Sequence, residues 1–156
     1  MNIMNLGKIA FGSLVSGLML SDMIEYQMKN QDTVIESPVD TVSIIMPVFN
    51  EEDFIERSTI SIKEQNIIQD YPNLFEFIVV DNGSTDNTKK LAEQFADKVV
   101  VQNIRGKLSA RNYGISLSKG SIIVAVDGDT YYPSNWLNSL LKPFTDISTV
   151  AVAGST

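Results

Sequence analysis

The chain of 156 residues contains no cysteine and no histidine. Without cysteine there are no disulfides, no thiolate nucleophiles and no thiolate zinc sites. Without histidine, the common Ser-His and Cys-His catalytic arrangements are excluded as well. Acid–base chemistry is therefore left to carboxylates, lysine or tyrosine, and a bound metal would have to accept oxygen ligands. Such ligands favour Mg²⁺ or Mn²⁺ over zinc.

Basic side chains are also in short supply, with 12 Lys and Arg against 19 Asp and Glu, for a net charge of −7. This charge argues against a nucleic acid as partner. A small anionic ligand would need a local source of positive charge, either a metal ion or a few basic side chains. The apolar fraction of 44% is ordinary for a globular protein. The length suits one folded domain.

Long hydrophobic runs are scarce too. The opening segment, residues 1–28, is apolar and rich in methionine, but its uncharged run at residues 9–20 is too short to span a bilayer. Three interpretations stay open: a helix on a membrane surface or partner chain, a signal-like segment, and a helix packed on the domain. A polar linker follows. We predict a division into residues 1–40 and a domain at 41–156, in a protein that is cytoplasmic, with membrane association left open.

From residue 41 onward, apolar runs alternate with helical patterns. We predict strands at 42–46, 75–80, 99–101, 122–126 and 150–153. The predicted helices are 51–65 capped by Asn50, one capped by Asp86 or Asn87 and carrying Leu91 to Ala96, 108–118, and one capped by Ser134. This order indicates an α/β fold with a mostly parallel sheet and helices on both faces. Ligands of such sheets bind beyond the carboxyl ends of the strands.

The most informative polar cluster is Asp127-Gly128-Asp129, directly after the predicted strand 122–126. Two carboxylates two residues apart in a turn can face one cation, and the glycine lets the backbone bend. A plain Asp-Gly turn is the common alternative. The position after a buried strand favours a metal site.

Two other strand ends carry polar residues. Asp81 would emerge from a buried strand, where its carboxylate can accept hydrogen bonds from a base or ribose, while residues 84–86 suit a helix cap. Pro47 stiffens the exit of the first strand. Asn50 and Glu51 could touch a ligand there, or could simply begin a helix.

Basic residues of the same predicted rim are Lys107 and Arg111. Their i, i+4 spacing places them on one helical face, where they could clamp phosphates. Exposed basic residues usually only solvate a surface, but in an acidic chain a pair at this rim is more informative.

Taken together, these segments resemble the family 2 glycosyltransferases, which have the Rossmann-like GT-A fold. The matching stretches, in the family's order, are VSIIMPVFNEE (42–52), FIVVDNGSTDNT (77–88), GKLSARNYGI (106–115) and IIVAVDGDT (122–130). The resemblance covers roughly residues 41–156.

The resemblance implies a role for each matching residue. Pro47, Asn50 and Glu51 would line a nucleotide pocket, and Asp81 would contact the base. Lys107 and Arg111 would lie near the nucleotide and its diphosphate. Asp127 and Asp129 would hold Mg²⁺ or Mn²⁺ against the diphosphate, with Asp127 also contacting the donor. The implied reaction is inverting transfer of a sugar from a nucleotide diphosphate sugar to an acceptor hydroxyl of unknown kind.

Two departures from the family pattern matter. The family often has two acids where this chain has Asp81-Asn82. Its general base lies well downstream of Asp-x-Asp, so we expect this chain to hold the donor half of a truncated domain, with its catalytic residue unknown. The alternative is a catalytically incomplete donor-binding or assembly module. A Rossmann dinucleotide enzyme and a nucleotidyltransferase are disfavoured because no Gly-rich loop follows the first strand.

Overall fold

The computed structural model describes residues 8–10 and 41–153. Within this part, six strands form one sheet in which every neighbouring pair is parallel. The strands are β1 (Lys8–Ala10), β2 (Val42–Val48), β3 (Phe75–Asp81), β4 (Lys98–Val101), β5 (Ile122–Ala125) and β6 (Ala151–Val152). A parallel sheet needs crossover segments, and the helices supply them.

The described helices are α1 (Ile55–Lys63), α2 (Asn66–Asp70), α3 (Thr88–Ala92), α4 (Lys107–Leu117) and α5 (Trp136–Leu141). Two short 3₁₀ turns, Pro72–Leu74 and Lys142–Thr145, follow α2 and α5. At least one helix therefore connects each pair of strands that follow one another in the chain from β2 to β6.

Side chains of β2 alternate between two apolar layers. Ile44 and Met46 belong to the larger core cluster, which also holds residues of α1, α2 and α5. Ile45 belongs to a second cluster on the opposite face, with Ala110 of α4. All seven residues of β2 are buried, as expected of a strand covered on both faces. The prediction of a mostly parallel sheet with helices on both faces is thus confirmed.

The strand order is β4-β3-β2-β5-β1-β6. The chain builds outward from β2 to β4 and then returns to place β5 on the other side of β2. In open α/β sheets such a reversal leaves a crevice beyond the carboxyl ends of the two central strands, where ligands bind. The loops that follow β2 and β5 meet at this crevice.

Several predicted boundaries need correction. Asn50 does not cap a helix: α1 begins at Ile55, and Asn50 has a φ of 52°. Ser134 does not cap α5, whose N-cap position is Asn135. The helix expected to reach Ala96 ends at Ala92. Hydrogen bonds to Ser84 and Thr85 in the loop after β3 hold Asn50 in another conformation, as described below.

Part of the apolar opening segment takes a place in the sheet, since β1 lies between β5 and β6. The rest of that segment and the polar linker lie outside the described residues, so the helix interpretations for them stay predictions. Among residues 8–10 and 41–153, no helix combines the length and apolar character needed to cross a bilayer.

Candidate functional site

The acidic loop, residues 126–135, leaves β5 at the crevice and carries both predicted metal ligands. Asp127 Oδ1 forms an ion pair with Lys107 Nζ at 2.9 Å and accepts a hydrogen bond from Arg111 Nη2 at 3.2 Å. The Asp129 carboxylate is exposed and accepts a bond from the Thr130 hydroxyl at 3.3 Å. Two predicted site residues of α4, Lys107 and Arg111, therefore contact a third, Asp127, in the loop after β5.

Glu51 approaches the same loop from the end of β2. A methyl group on Gly128 would collide with Glu51 Oε2 and would lie 2.7 Å from Val48 Cγ1, so a larger residue between the two aspartates would force these side chains to shift. Burial, with the negative charge of Asp129, raises the pKa of Glu51 to about 7. Its Oε2 atom is buried without a hydrogen-bond partner among the described residues. This oxygen is directed at the acidic loop without a donor.

Tyr132 fixes the backbone of the first aspartate. The Asp127 amide donates to Tyr132 Oη at 2.7 Å, and the same phenol donates to the Asp127 carbonyl at 3.2 Å. Burial raises the pKa of Tyr132 to about 12, so the phenol keeps its proton at neutral pH. Its ring packs against Trp136, with centroids 4.5 Å apart. The Tyr132 side chain thus connects the backbone of Asp127 with the first residue of α5.

Asp81 and Asn82 stand side by side at the end of β3 but serve different purposes. Asp81 is 3% exposed, and its carboxylate accepts the Ser84 amide at 3.2 Å. Asn82 donates its amide to the carbonyls of Gln102 and Ile104, both at 2.8 Å, and accepts from the Gly106 amide at 2.7 Å. An amide can do both, whereas the second acid of the family pattern could only accept. Asn82 therefore shapes the loop that leads into α4.

A cleft of about 240 Å³ opens beside these residues. It is lined by Pro47, Val48, Phe49, Asn82, Arg105, Gly106 and Lys107. The Arg105 guanidinium lies 4.1 Å from the centroid of the Phe49 ring, a cation–π contact that holds both side chains at the cleft. Of the predicted nucleotide residues, Pro47 and Lys107 line this space.

Asn50 is engaged elsewhere. Its side-chain oxygen accepts the Thr85 amide at 2.8 Å, and its own amide donates to Ser84 Oγ at 3.0 Å. The amide of Glu51 donates to Thr88 Oγ1 at 2.7 Å. These bonds join the loop after β2 to the loop after β3. They also account for the left-handed backbone at Asn50, which asparagine tolerates better than most residues.

The residues present suit a hard divalent cation. Asp127 and Asp129 offer oxygen ligands, as Mg²⁺ and Mn²⁺ prefer. In the part of the chain that the structure describes, no three acidic side chains gather into a closed metal site. Mg²⁺ is commonly held by one or two carboxylates together with substrate phosphates. The acidic pair beside two cations fits that mode of binding.

Three site features escaped the sequence interpretation. Asn82 acts through backbone groups 20 to 24 residues away, and Tyr132 acts through the backbone of Asp127 within the same loop, and neither contact follows from a helix or strand pattern. Phe49 had a visible signal, because it is a large aromatic residue directly after a buried strand, and it is 40% exposed.

Solved structures share this fold. Glucosyl-3-phosphoglycerate synthase from Mycobacterium tuberculosis, with Mn²⁺, UDP and phosphoglyceric acid, superposes with a TM-score of 0.64 at 23% identity over 90% of this chain and 47% of that one. The mannosyltransferase PcManGT from Pyrobaculum calidifontis, with GDP-Man and Mn²⁺, gives 0.52 at 27% identity over 71% and 35%. These are GT-A glycosyltransferases, and the described sheet and helices are those of the GT-A fold.

The family is equally clear. The model of glycosyl transferase family 2 matches residues 43–156, and the chain belongs to this family. Glycosyltransferase AglE of Haloferax volcanii is 33% identical over 121 residues, 73% of this chain and 38% of its own. The uncharacterized glycosyltransferase EpsJ of Bacillus subtilis is 37% identical over 106 residues, 65% and 29%. The chain thus spans well under half of these relatives' length.

Proposed function

We propose that the chain supplies the donor-binding part of a metal-dependent, inverting glycosyltransferase. The donor is a nucleotide diphosphate sugar, and the sugar passes to an acceptor hydroxyl. One observation carries the proposal: Asp127 meets Lys107 and Arg111 at the crevice where β2 and β5 end. An acidic loop facing two cations, in an acidic protein, is an arrangement that a metal and a diphosphate can share.

The nucleoside would occupy the cleft beside β2. Phe49 offers an aromatic face there, and Arg105 adds positive charge. Asp81 lies at the end of the adjacent strand and would contact a base or ribose hydroxyl. Hydrogen bonds between the Asn82 side chain and the backbone of Gln102 and Gly106 hold the loop that leads into α4 beside the cleft. The binding of GDP-Man by the mannosyltransferase and of UDP-GlcNAc by Staphylococcus aureus TarS, 25% identical at a TM-score of 0.53, supports this assignment.

Lys107 and Arg111 would bind the diphosphate. Both now form ion pairs with one oxygen of Asp127. Phosphate oxygens offer the same cations stronger and more numerous acceptors. The spacing of the two residues on α4 keeps both side chains on the face toward the acidic loop.

Asp127 and Asp129 would hold Mg²⁺ or Mn²⁺. When bound, such an ion takes up negative charge on a departing diphosphate. The carboxylates supply oxygen ligands from one loop, in which Tyr132 fixes the backbone of Asp127 and Gly128 lies against Val48 of β2. The Mn²⁺ in the mannosyltransferase complex supports the metal dependence.

Calorimetric titration of UDP and GDP, with and without Mn²⁺, tests the proposal. We expect one nucleotide to bind more tightly with Mn²⁺. Asp129→Ala should abolish that metal-dependent gain while leaving the circular dichroism spectrum unchanged. Asp70→Ala removes an equally exposed carboxylate from the end of α2 and should bind as the wild type does. Equal metal-dependent binding by Asp129→Ala and wild type would contradict the metal assignment.

Turnover separates the proposed enzyme from the donor-binding or assembly module. Transfer to an acceptor hydroxyl requires a base within hydrogen-bond reach of that hydroxyl. Sugar transfer by the purified chain would exclude the binding module. Metal-dependent nucleotide binding without transfer, across a panel of acceptors, would favour it.

A further inference from the structure

The side chain of Gln65, in the turn between α1 and α2, is fully buried at 0% exposure. Long polar side chains are seldom buried unless they are hydrogen-bonded. Its amide nitrogen donates to the carbonyls of Ser61 at 2.9 Å, Tyr132 at 3.2 Å and Pro133 at 2.8 Å. Two N–H groups are thus shared among three carbonyls, two of which belong to the acidic loop.

The oxygen of the same amide serves α5. It accepts the Leu137 amide at 2.8 Å. The first amides of a helix have no partner within the helix, and α5 has no capping bond from its own N-cap residue. Gln65 therefore caps α5 from another element. One side chain holds both the end of the acidic loop and the start of the helix that follows.

The neighbouring Ser61 completes the attachment. Its hydroxyl accepts the Tyr132 amide at 3.1 Å, so the backbone of Tyr132 is held on both its N–H and its C=O. The phenol of Tyr132 then binds both backbone groups of Asp127. A continuous hydrogen-bonded path runs from Gln65 through Tyr132 to the first aspartate of the site.

We propose that Gln65 is a positioning residue for the acidic loop, acting through Tyr132 to hold Asp127 and Asp129 in the arrangement that binds a divalent cation with a nucleotide diphosphate. The proposal rests on the proposed function. It assigns to a buried glutamine, which touches no ligand, an effect on metal-dependent binding. Groups that orient metal ligands usually change metal affinity about 10- to 100-fold when removed.

Gln65→Met tests this, because it keeps the length of the side chain and removes every hydrogen bond. Thr59→Val is the matched control: Thr59 is equally buried on α1, but its hydroxyl bonds only to Ile55 and Glu56 of the same region. We expect Gln65→Met to weaken Mn²⁺-dependent UDP or GDP binding at least about tenfold. Binding without Mn²⁺ should stay within about twofold of wild type. Thr59→Val should keep the full Mn²⁺ effect, even if its Tm falls equally.

A second readout needs no metal. Amide hydrogen exchange of the acidic loop, measured in chelator by mass spectrometry, should speed up in Gln65→Met and stay unchanged in Thr59→Val. Equal exchange in both variants would overturn the proposal. If the wild type shows no metal-dependent nucleotide binding, the proposed function fails, and the exchange data still decide whether Gln65 orders the loop.

Tyr132→Phe covers the case in which Gln65→Met does not fold. It removes one hydroxyl, keeps the ring against Trp136, and should lower the Mn²⁺-dependent gain in the same direction. Where both variants fold, the double variant should lose less Mn²⁺-dependent nucleotide affinity than the product of the two single fold-losses, because both residues act on one hydrogen-bonded path. Independent effects, or an unchanged Mn²⁺ effect in Tyr132→Phe, would contradict transmission through Tyr132.

Discussion

The two ends of the parallel sheet both carry polar clusters, but the clusters are built differently. At the amino end, Ser43 is fully buried and its hydroxyl donates to Glu76 and accepts the Gly120 amide. The Glu76 carboxylate also accepts the Lys119 amide. In this cluster the hydroxyl, the carboxylate and the loop amides bind one another across three segments of chain.

At the carboxyl end the polar groups stay open to a ligand. Asp127 forms ion pairs with the side chains of Lys107 and Arg111. Asp129 is exposed, and Glu51 Oε2 is buried without a hydrogen-bond partner among the described residues. Buried polar groups that are paired hold a structure together, while unpaired and charged groups in a crevice mark sites. The difference predicts that changes at the amino end reduce stability and changes at the carboxyl end reduce binding.

Gly120→Ala should show the largest effect on stability. The new methyl group would lie 2.5 Å from the Ser43 amide nitrogen and 2.9 Å from the Thr41 carbonyl oxygen. Backbone cannot move aside as a flexible side chain can, so we expect a loss of about 3 kcal/mol in the free energy of unfolding. Urea titration measures it. Lys119→Ala, at the exposed neighbouring position, should change stability by less than about 0.5 kcal/mol; equal losses would show that the amino end is not tightly packed.

Gly128→Ala is the counterpart at the carboxyl end. Its methyl group would meet mainly the side chains of Glu51 and Val48, which can shift. We expect a smaller stability loss, about 1 kcal/mol, with a loss of about tenfold or more in Mn²⁺-dependent nucleotide affinity. Calorimetry and urea titration separate the two effects. Adding Glu51→Ala removes the colliding carboxylate and tests whether the collision is the cause. If Gly128→Ala destabilises like Gly120→Ala and still binds normally, the contrast between the ends is wrong.

The fold was accessible from the sequence where burial dominates. Strands β2, β3 and β5 lie in the middle of a covered sheet, and their continuous apolar runs predicted their positions to within two residues. Helix α4 was placed within one residue. The position of β1 between β5 and β6 was not predictable, because three residues carry no pairing signal and the neighbours of β1 lie more than a hundred residues away in sequence.

The acidic pair and the two basic residues were also visible in the sequence, because two carboxylates directly after a buried strand and a basic pair in an acidic chain favour a binding site over a plain turn or a solvated surface. The loop conformations were not. Asparagine is a residue type that often caps helices, but the side-chain oxygen of Asn50 accepts the Thr85 amide instead, and α1 starts five residues later. The contribution of Gln65 was hidden for the same reason: its partners in the acidic loop lie 67 and 68 residues away.

Glu51→Gln should change how the stability of the protein depends on pH, because Glu51 lies at the carboxyl end of the sheet, where polar groups stay open. Because burial and the nearby Asp129 raise the pKa of Glu51 to about 7, the folded state prefers the protonated form. The resulting stability is fully present below the pKa of the unfolded chain and is lost as the pH rises through about 7. In chelating buffer, the glutamine variant should therefore match wild type near pH 4 and be more stable at pH 8.

The stability gained by Glu51→Gln at pH 8 should be smaller than the stability lost in the two glycine variants, since solvent reaches part of this carboxylate and screens its charge. Urea titrations of both proteins at several pH values measure it. A stability difference that does not change with pH would show that the folded state does not disfavour the ionised form of Glu51.

Asp86→Asn should have the smallest effect, because Asp86 belongs to a loop at the carboxyl end whose polar groups are hydrogen-bonded to one another, as they are at the amino end. Partial burial alone would raise its pKa, but hydrogen bonds from Thr88 and from the Glu52 amide outweigh this and lower it. A lowered pKa contributes stability above the pKa of the unfolded chain, and this contribution is lost as the pH falls through the folded pKa. The asparagine variant should thus melt slightly below wild type at pH 7 and level with it in acid. A constant offset between Asp86→Asn and wild type at all pH values would mean that this loop is held by its shape and not by the carboxylate charge.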